Sequence, residues 1–213
     1  MKNTLTFPYQ AQYCISHSPS GNENHLWLVF HGYGQLAEFF IRKFLPYDSN
    51  ETLILAPEGT NYGYLKDFQG RVGANWMTKH EREIAIENNH RYLDQLMVEI
   101  LKNFEVLPTI NVLGFSQGAA TATRWASRWE GQIRRLILWS GGFAHDLQWN
   151  LAKEKFSNTE IISVLGTKDE LITQESIEKQ RELFQLLEKD SKPFIFEGGH
   201  ELPAEVLKKI MAQ

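Results

Sequence analysis

The segment of this 213-residue chain most suited to chemistry is Asn111-Val112-Leu113-Gly114-Phe115-Ser116-Gln117-Gly118-Ala119-Ala120. An apolar run of strand character ends there in G-x-S-x-G and passes directly into an Ala-rich stretch of helical character. That pattern predicts a sharp strand-to-helix turn that holds the Ser116 hydroxyl above the end of a strand, with Gly114 and Gly118 leaving room where strand and helix crowd together. A hydroxyl held this way is suited to nucleophilic attack. The positive end of the following helix, with the backbone N–H of Gln117 as one donor, would face the oxygen that becomes anionic. Standing alone, such a pentapeptide is about as well explained by an ordinary Gly-containing turn, so its weight comes from the segments that flank and follow it.

A serine hydroxyl needs a base and the base needs a carboxylate to orient it. Among the seven histidines, only His200, in Glu197-Gly198-Gly199-His200-Glu201, follows the last expected strand on a loop. His145 follows a strand end but precedes the expected acid, and His17, His25, His80 and His90 lack such a context. Asp169, in Gly166-Thr167-Lys168-Asp169-Glu170, follows the penultimate expected strand and is the preferred acid. Turn formation is the bland role for an aspartate beside glycine, and Glu170 is an adjacent competitor. A second oxyanion donor is expected from His31-Gly32-Tyr33-Gly34, after an early strand, through the backbone N–H of Tyr33. His31 itself is expected to hold that loop.

The elements that must position these residues are visible as periodicity. Apolar runs rich in β-formers at 26–30, 52–56, 110–114, 135–139, 161–165 and 193–196 predict six buried strands, with an edge strand at 13–16. Helical spacing predicts helices over 36–44, 93–104, 119–129, 174–187 and 204–211. Strands apolar throughout that alternate with helices indicate a three-layer α/β architecture, a mostly parallel central sheet flanked by helices on both faces. No repeat or linker marks a boundary, so one domain over 1–213 is expected. The chain order Ser, Asp, His is that of the α/β-hydrolases.

Lys and Arg (22) nearly balance Asp and Glu (26), which gives no reason to expect a nucleic-acid partner. Cys14 is the only cysteine, so no internal disulfide forms. Neither a signal peptide in residues 1–12 nor a membrane span is expected, which points to a cytoplasmic protein, monomer or homodimer. A metal site at His80-Glu81 fails on spacing, because His90 falls on nearly the opposite helix face. No phosphate-loop pattern or G-x-G-x-x-G occurs, and no metal or cofactor is called for.

Together these segments resemble the phospholipase/carboxylesterase family, which includes small bacterial carboxylesterases and acyl-protein thioesterases. His31-Gly32-Tyr33-Gly34 resembles its H-G-x-G loop, Gly114-Phe115-Ser116-Gln117-Gly118 its elbow, and the segments at Asp169 and His200 its acid and histidine, over nearly the whole chain. The resemblance implies hydrolysis of small-molecule carboxylic esters or thioesters through an acyl-enzyme. It also implies a cleft bordered by the loop after 53–57, with Trp76 in the place of a family tryptophan. The chain departs from the family there, since no acidic residue directly follows Trp76, and again after the elbow, where Ala119-Ala120 replaces a more glycine-rich stretch. Trp76, Phe143 and Leu171, with Ile172 and Tyr33, are expected to line the substrate pocket; Trp125, Trp129 and Trp139 are expected to pack. A noncatalytic binding or scaffold protein of the same fold is the competing reading.

Overall fold

The computed structural model describes residues 1–190 and 192–212. In chain order the strands are β1 (Tyr13–Ile15), β2 (His25–Phe30), β3 (Thr52–Pro57), β4 (Asn61–Lys66), β5 (Gln69–Asn75), β6 (Thr109–Phe115), β7 (Arg135–Trp139), β8 (Glu160–Gly166) and β9 (Phe194–Phe196). The helices are α1 (Ala37–Phe40), α2 (Arg82–Leu101), α3 (Gln117–Arg128), α4 (Trp149–Lys155), α5 (Gln174–Leu186) and α6 (Ala204–Met211). Seven strands form one sheet in the order β1-β3-β2-β6-β7-β8-β9, parallel except for the antiparallel edge pair β1 and β3.

Successive residues of a strand face opposite sides, so a strand buried on both faces must be apolar throughout. Leu26, Leu28 and Phe30 of β2 join Leu53, Leu55, Val112, Leu136 and Leu138 on one face, where Leu93 and Met97 of α2, Trp125 of α3 and Leu183 of α5 cover them. Trp27 and Val29 join Ile54, Leu113, Ile137 and Trp139 on the other, under Phe40 of α1 and Leu207 and Ile210 of α6. The three-layer arrangement follows directly. Helix α3 packs tightly on the sheet because Gly118, Ala119, Ala122 and Ala126, all buried, place little bulk between them. No described helix is long and apolar enough to cross a membrane.

All seven expected strands form, with ends shifted by a residue or two. Four features differ from expectation. The helix whose apolar stripe runs over 93–104 begins already at Arg82 and ends at Leu101. The segment 36–44 forms only four helical residues before breaking into tight 3-10 turns at Ile41–Lys43 and Leu45–Tyr47, the second with Pro46 in its first turn. The short helix α4 carries one buried residue, Ala152, and so has no apolar stripe to announce it. The stretch after β3 is not a plain loop but the antiparallel hairpin β4–β5. It escapes a search for buried strands because its residues from 62 to 72 are exposed on both faces.

One buried group ties this packing to pH. His90 of α2 is only 5% exposed, and its Nδ1 has no hydrogen-bond partner among the described residues. Burial first, then the nearby Arg128 cation, pushes its pKa down from 6.5 to about 4. Because the folded value lies below the unfolded one, the unfolded chain takes up a proton that the folded chain refuses as pH falls from about 6.5 to about 4. Stability present above pH 6.5 is lost through that window. Urea denaturation at pH 7 and pH 5 is therefore expected to show a lower midpoint at pH 5, with this group contributing a slope of up to about 1.4 kcal/mol per pH unit. His90→Gln should flatten that slope; an unchanged slope would count against it.

Candidate active site

The loops that follow β2, β3, β6, β7, β8 and β9 all emerge at the C-terminal edge of the sheet, where open α/β folds leave a crevice. Ser116 sits between β6 and α3 with φ 54° and ψ −120°, in a region that non-glycine residues seldom adopt. Its N–H donates to the Trp139 carbonyl at 2.8 Å and its carbonyl accepts from Ala119 N at 3.0 Å. The turn closes only because side chains are missing around it. A Cβ on Gly114 would lie 2.4 Å from Ala119 Cα, and one on Gly118 would lie 2.5 Å from the carbonyl oxygens of both Phe30 and His31. Ser116 itself remains partly exposed.

Two amide groups flank it. Among the described residues, neither the N–H of Gln117 nor that of Tyr33 donates to another protein group. The loop carrying Tyr33 is held on all sides: Gly32 N donates to Gln35 Oε1 at 2.8 Å, and Gly34 N donates to the Ala74 carbonyl of β5 at 2.8 Å. Tyr33 as a whole is 64% exposed, so its ring lies outside the core.

His31 is fully buried with both ring nitrogens engaged. Nδ1–H donates to the Gly32 carbonyl at 2.7 Å and Nε2 accepts from Gly59 N at 2.9 Å. Burial holds its pKa below the ordinary histidine value, partly offset by the Gly32 hydrogen bond, so the ring stays neutral as a brace. The Trp76 indole stacks on it with centroids 4.8 Å apart, and Trp76 Nε1–H donates to the His31 carbonyl at 2.8 Å.

Trp76 is thus not where the sequence placed it. It is fully buried between His31 and Phe30 and exposes nothing to a cleft. Its indole N–H finds its acceptor in the core, which removes the reason for the ring to reach a wet surface. Phe143 and Leu171, by contrast, do line a common cavity of about 480 Å³, together with Met77, the neighbour of Trp76.

His200 and Asp169 are brought together. The loops after β8 and β9 are laced by Thr167 N to the Phe196 carbonyl at 2.9 Å and Lys168 N to the Gly198 carbonyl at 2.8 Å. Gly166 lets them touch, since a Cβ there would meet the Gly198 carbonyl at 2.5 Å. His200 Nδ1–H donates to Asp169 Oδ2 at 2.9 Å and lies 3.1 Å from Oδ1. The Asp169 side chain is fully buried, whereas Glu170 is exposed. The imidazole, about a quarter exposed, lies against the Phe115 ring with centroids 4.9 Å apart, beside Ser116. Among the described residues no hydrogen bond joins Ser116 Oγ to His200, and His200 Nε2 is unpaired. His145 is exposed and lines the cavity instead.

Sequence reasoning missed the Gln117 side chain. Its Oε1 accepts from Trp76 N at 3.0 Å and its Nε2 donates to the Met77 carbonyl at 2.9 Å, which pins the segment at 76–77 to the first turn of α3. Glu58 was also missed: it is buried, accepts from Ala37 N at 2.7 Å and from the Tyr62 hydroxyl at 2.8 Å, and so ties the hairpin to α1. No local pattern marks either. Among the described residues no three His, Cys, Asp or Glu side chains converge as a metal ion would require.

Comparison with known proteins identifies the family and the fold. The profile of the phospholipase/carboxylesterase family matches residues 13–212. The structure of esterase PE8 superposes with a TM-score of 0.72 at 20% identity, covering 96% of this chain and 97% of that one. Acyl-protein thioesterase 2 of Zea mays gives 0.71 at 13% identity, covering 95% and 97%. A phospholipase/carboxylesterase of Dyadobacter fermentans gives 0.69 at 18% identity, covering 98% and 99%. A search of curated protein sequences returned no match. At these identities the structural likenesses speak for the fold, and the profile match over nearly the whole length speaks for the family: the chain belongs to the phospholipase/carboxylesterase family of serine hydrolases.

Proposed function

We propose that the chain hydrolyses carboxylic esters, and thioesters, of small to medium acyl groups through an acyl-enzyme on Ser116. The observation that carries this reading is the meeting of a His200–Asp169 pair with a strained, partly exposed serine at one sheet edge. Nδ1–H bound to a buried carboxylate leaves Nε2 as the basic nitrogen. Asp169 also accepts from Leu171 N at 3.1 Å, so the carboxylate that orients the ring is itself oriented.

In the first half-reaction Ser116 Oγ attacks the carbonyl carbon while His200 Nε2 takes the hydroxyl proton. The free N–H groups of Tyr33 and Gln117 receive the oxyanion. His200 then gives the proton to the departing alcohol or thiol. Water repeats the sequence on the acyl-enzyme, releasing the acid and restoring Ser116. The hydroxyl and imidazole need to close only on the bound substrate, since such contacts are commonly loose before it arrives. The apolar cavity lined by Phe143 and Leu171 suits an acyl chain. The printed names of two structural neighbours, an esterase and an acyl-protein thioesterase, fit the same bond type.

Ser116→Ala is expected to lower hydrolysis of nitrophenyl esters by about a thousandfold or more, to near background, with the circular dichroism spectrum unchanged. Turnover equal to that of the parent protein would remove Ser116 as nucleophile. Asp169→Asn should cut kcat by about 10² to 10⁴ while leaving KM within a few-fold, because it disturbs the tautomer and charge of His200 rather than substrate binding. Steady-state kinetics on one ester separates the two parameters, and a rise in KM alone would assign Asp169 to binding.

A further inference from the structure

The 480 Å³ cavity has an unusual electrical character for an acyl pocket. Its floor is apolar, with Phe143, Leu165 and Ile177, yet its wall carries Arg82, Arg124 and Arg181 and no aspartate or glutamate. The acids that pair with two of these arginines, Asp146 with Arg82 and Arg124 and Glu83 with Arg82, line a separate groove, of which Arg124 forms part of the boundary. Among the described residues Arg181 has no ion pair.

Arg124 is the most constrained of the three. It is 8% exposed, and Asp146 holds its Nε from behind at 2.8 and 3.1 Å. Neither Nη donates to an oxygen among the described residues; Nη1 has only the Met77 sulfur, at 3.9 Å. Burial pulls the Arg124 pKa below the usual guanidinium range against the opposing pull of Asp146, as expected for a cation short of partners. A buried guanidinium with a free fork is a costly arrangement unless an anion completes it, and the fork matches a carboxylate bidentately.

The cavity also has the right reach. Gly141 lines it, and a Cβ there would meet the Ser116 carbonyl at 2.5 Å, so its near end adjoins the elbow. Ala120 and Arg124 line it four residues apart on one face of α3. They stand one and two turns beyond Ser116, roughly 6 and 12 Å along the helix axis. A chain running from an ester carbonyl at Ser116 along this face reaches Arg124 at its far end.

We infer that the preferred substrates are half-esters or half-thioesters of medium-length dicarboxylic acids, whose distal carboxylate is bound by Arg124 with Arg82 and Arg181 around it. This rests on the reading of Ser116 as nucleophile and adds the identity of the acyl group.

The test compares matched nitrophenyl esters: hexanoate against the half-ester of adipic acid, and octanoate against that of suberic acid. In the parent protein kcat/KM for the half-ester is expected to exceed that for the alkanoate at least tenfold at one of the two lengths. Arg124→Met should bring that ratio to about one, and Arg124→Lys, which keeps the charge but not the fork, should lie between. A ratio of one or less at both lengths in the parent, or a ratio unmoved by Arg124→Met, overturns the inference. Should Arg124→Met fail to fold, inhibition of the parent protein decides: free adipate or suberate must inhibit at least tenfold more strongly than the matching alkanoate, and equal inhibition overturns it. Ser116→Ala run on all four esters keeps the two readings apart. Serine-dependent turnover without the preference sinks only the dicarboxylate inference, and serine-independent turnover sinks the reading beneath it.

Discussion

The backbone at Ser116 is held where a residue with a side chain does not rest by choice. A non-glycine residue at φ 54° and ψ −120° costs on the order of 1–3 kcal/mol, and it persists only where its surroundings over-determine it. Here they do. The Ser116 N–H is captured by β7, its carbonyl by the first turn of α3, and Gly114, Gly118 and Gly141 bring backbone to within touching distance on three sides. The same three glycines set the spacing of β6, α3 and the loop after β7. The geometry of the turn at Ser116 and the packing of the sheet are therefore one constraint, and neither can relax without the other.

A polar scaffold lies behind that turn and connects parts of the chain far apart in sequence. The Gln117 side chain holds the backbone of Trp76 and Met77; Trp76 holds the His31 carbonyl; His31 holds Gly59; Asn89 of α2 donates to the Trp76 carbonyl at 2.8 Å. Each is a buried polar group given a partner, and unpartnered each would cost about 1–3 kcal/mol. The effect is to fix the two loops that carry the free N–H groups of Tyr33 and Gln117 against a common post. Held this way, both N–H groups keep their directions without needing to reorganise.

The sequence announced those features whose physics is local. Buried strands are apolar at most of their residues, and a G-x-S-x-G after such a strand and before an Ala-rich stretch marks a tight strand-to-helix turn; hence β2, β3, β6, β7 and β8 and the position of Ser116 were readable at once. The closeness of His200 to Asp169 was readable from the order of strand ends, because a parallel sheet delivers every such loop to the same edge. What could not be read is what depends on partners distant in the chain. Trp76 looks like a cleft residue until the His31 carbonyl is found to take its indole proton. The side chains of Gln117 and Glu58 look like solvent-facing polar groups until the segments they pin come back to meet them. The hairpin β4–β5 gives no alternation because neither of its faces is buried along most of its length. It is tied in by the Gly34 N–H, which donates to the Ala74 carbonyl, and by the Tyr62 hydroxyl, which donates to Glu58.

Two histidines near the same edge show how one side chain takes opposite roles through the fate of a single nitrogen. His31 and His200 both donate Nδ1–H to an oxygen, so both are fixed in the same tautomer. For His31 the remaining nitrogen already accepts from Gly59, the ring has no exposure, and the Nδ1 acceptor is a neutral carbonyl. Protonating that ring would break a buried hydrogen bond and place a charge where no solvent reaches it. For His200 the remaining nitrogen is free, the ring keeps contact with solvent, and the Nδ1 acceptor is a carboxylate able to balance a positive imidazolium. Residue type alone does not tell the two apart. The difference lies in which ring keeps a nitrogen without a partner, and that separates the brace from the ring left open to solvent.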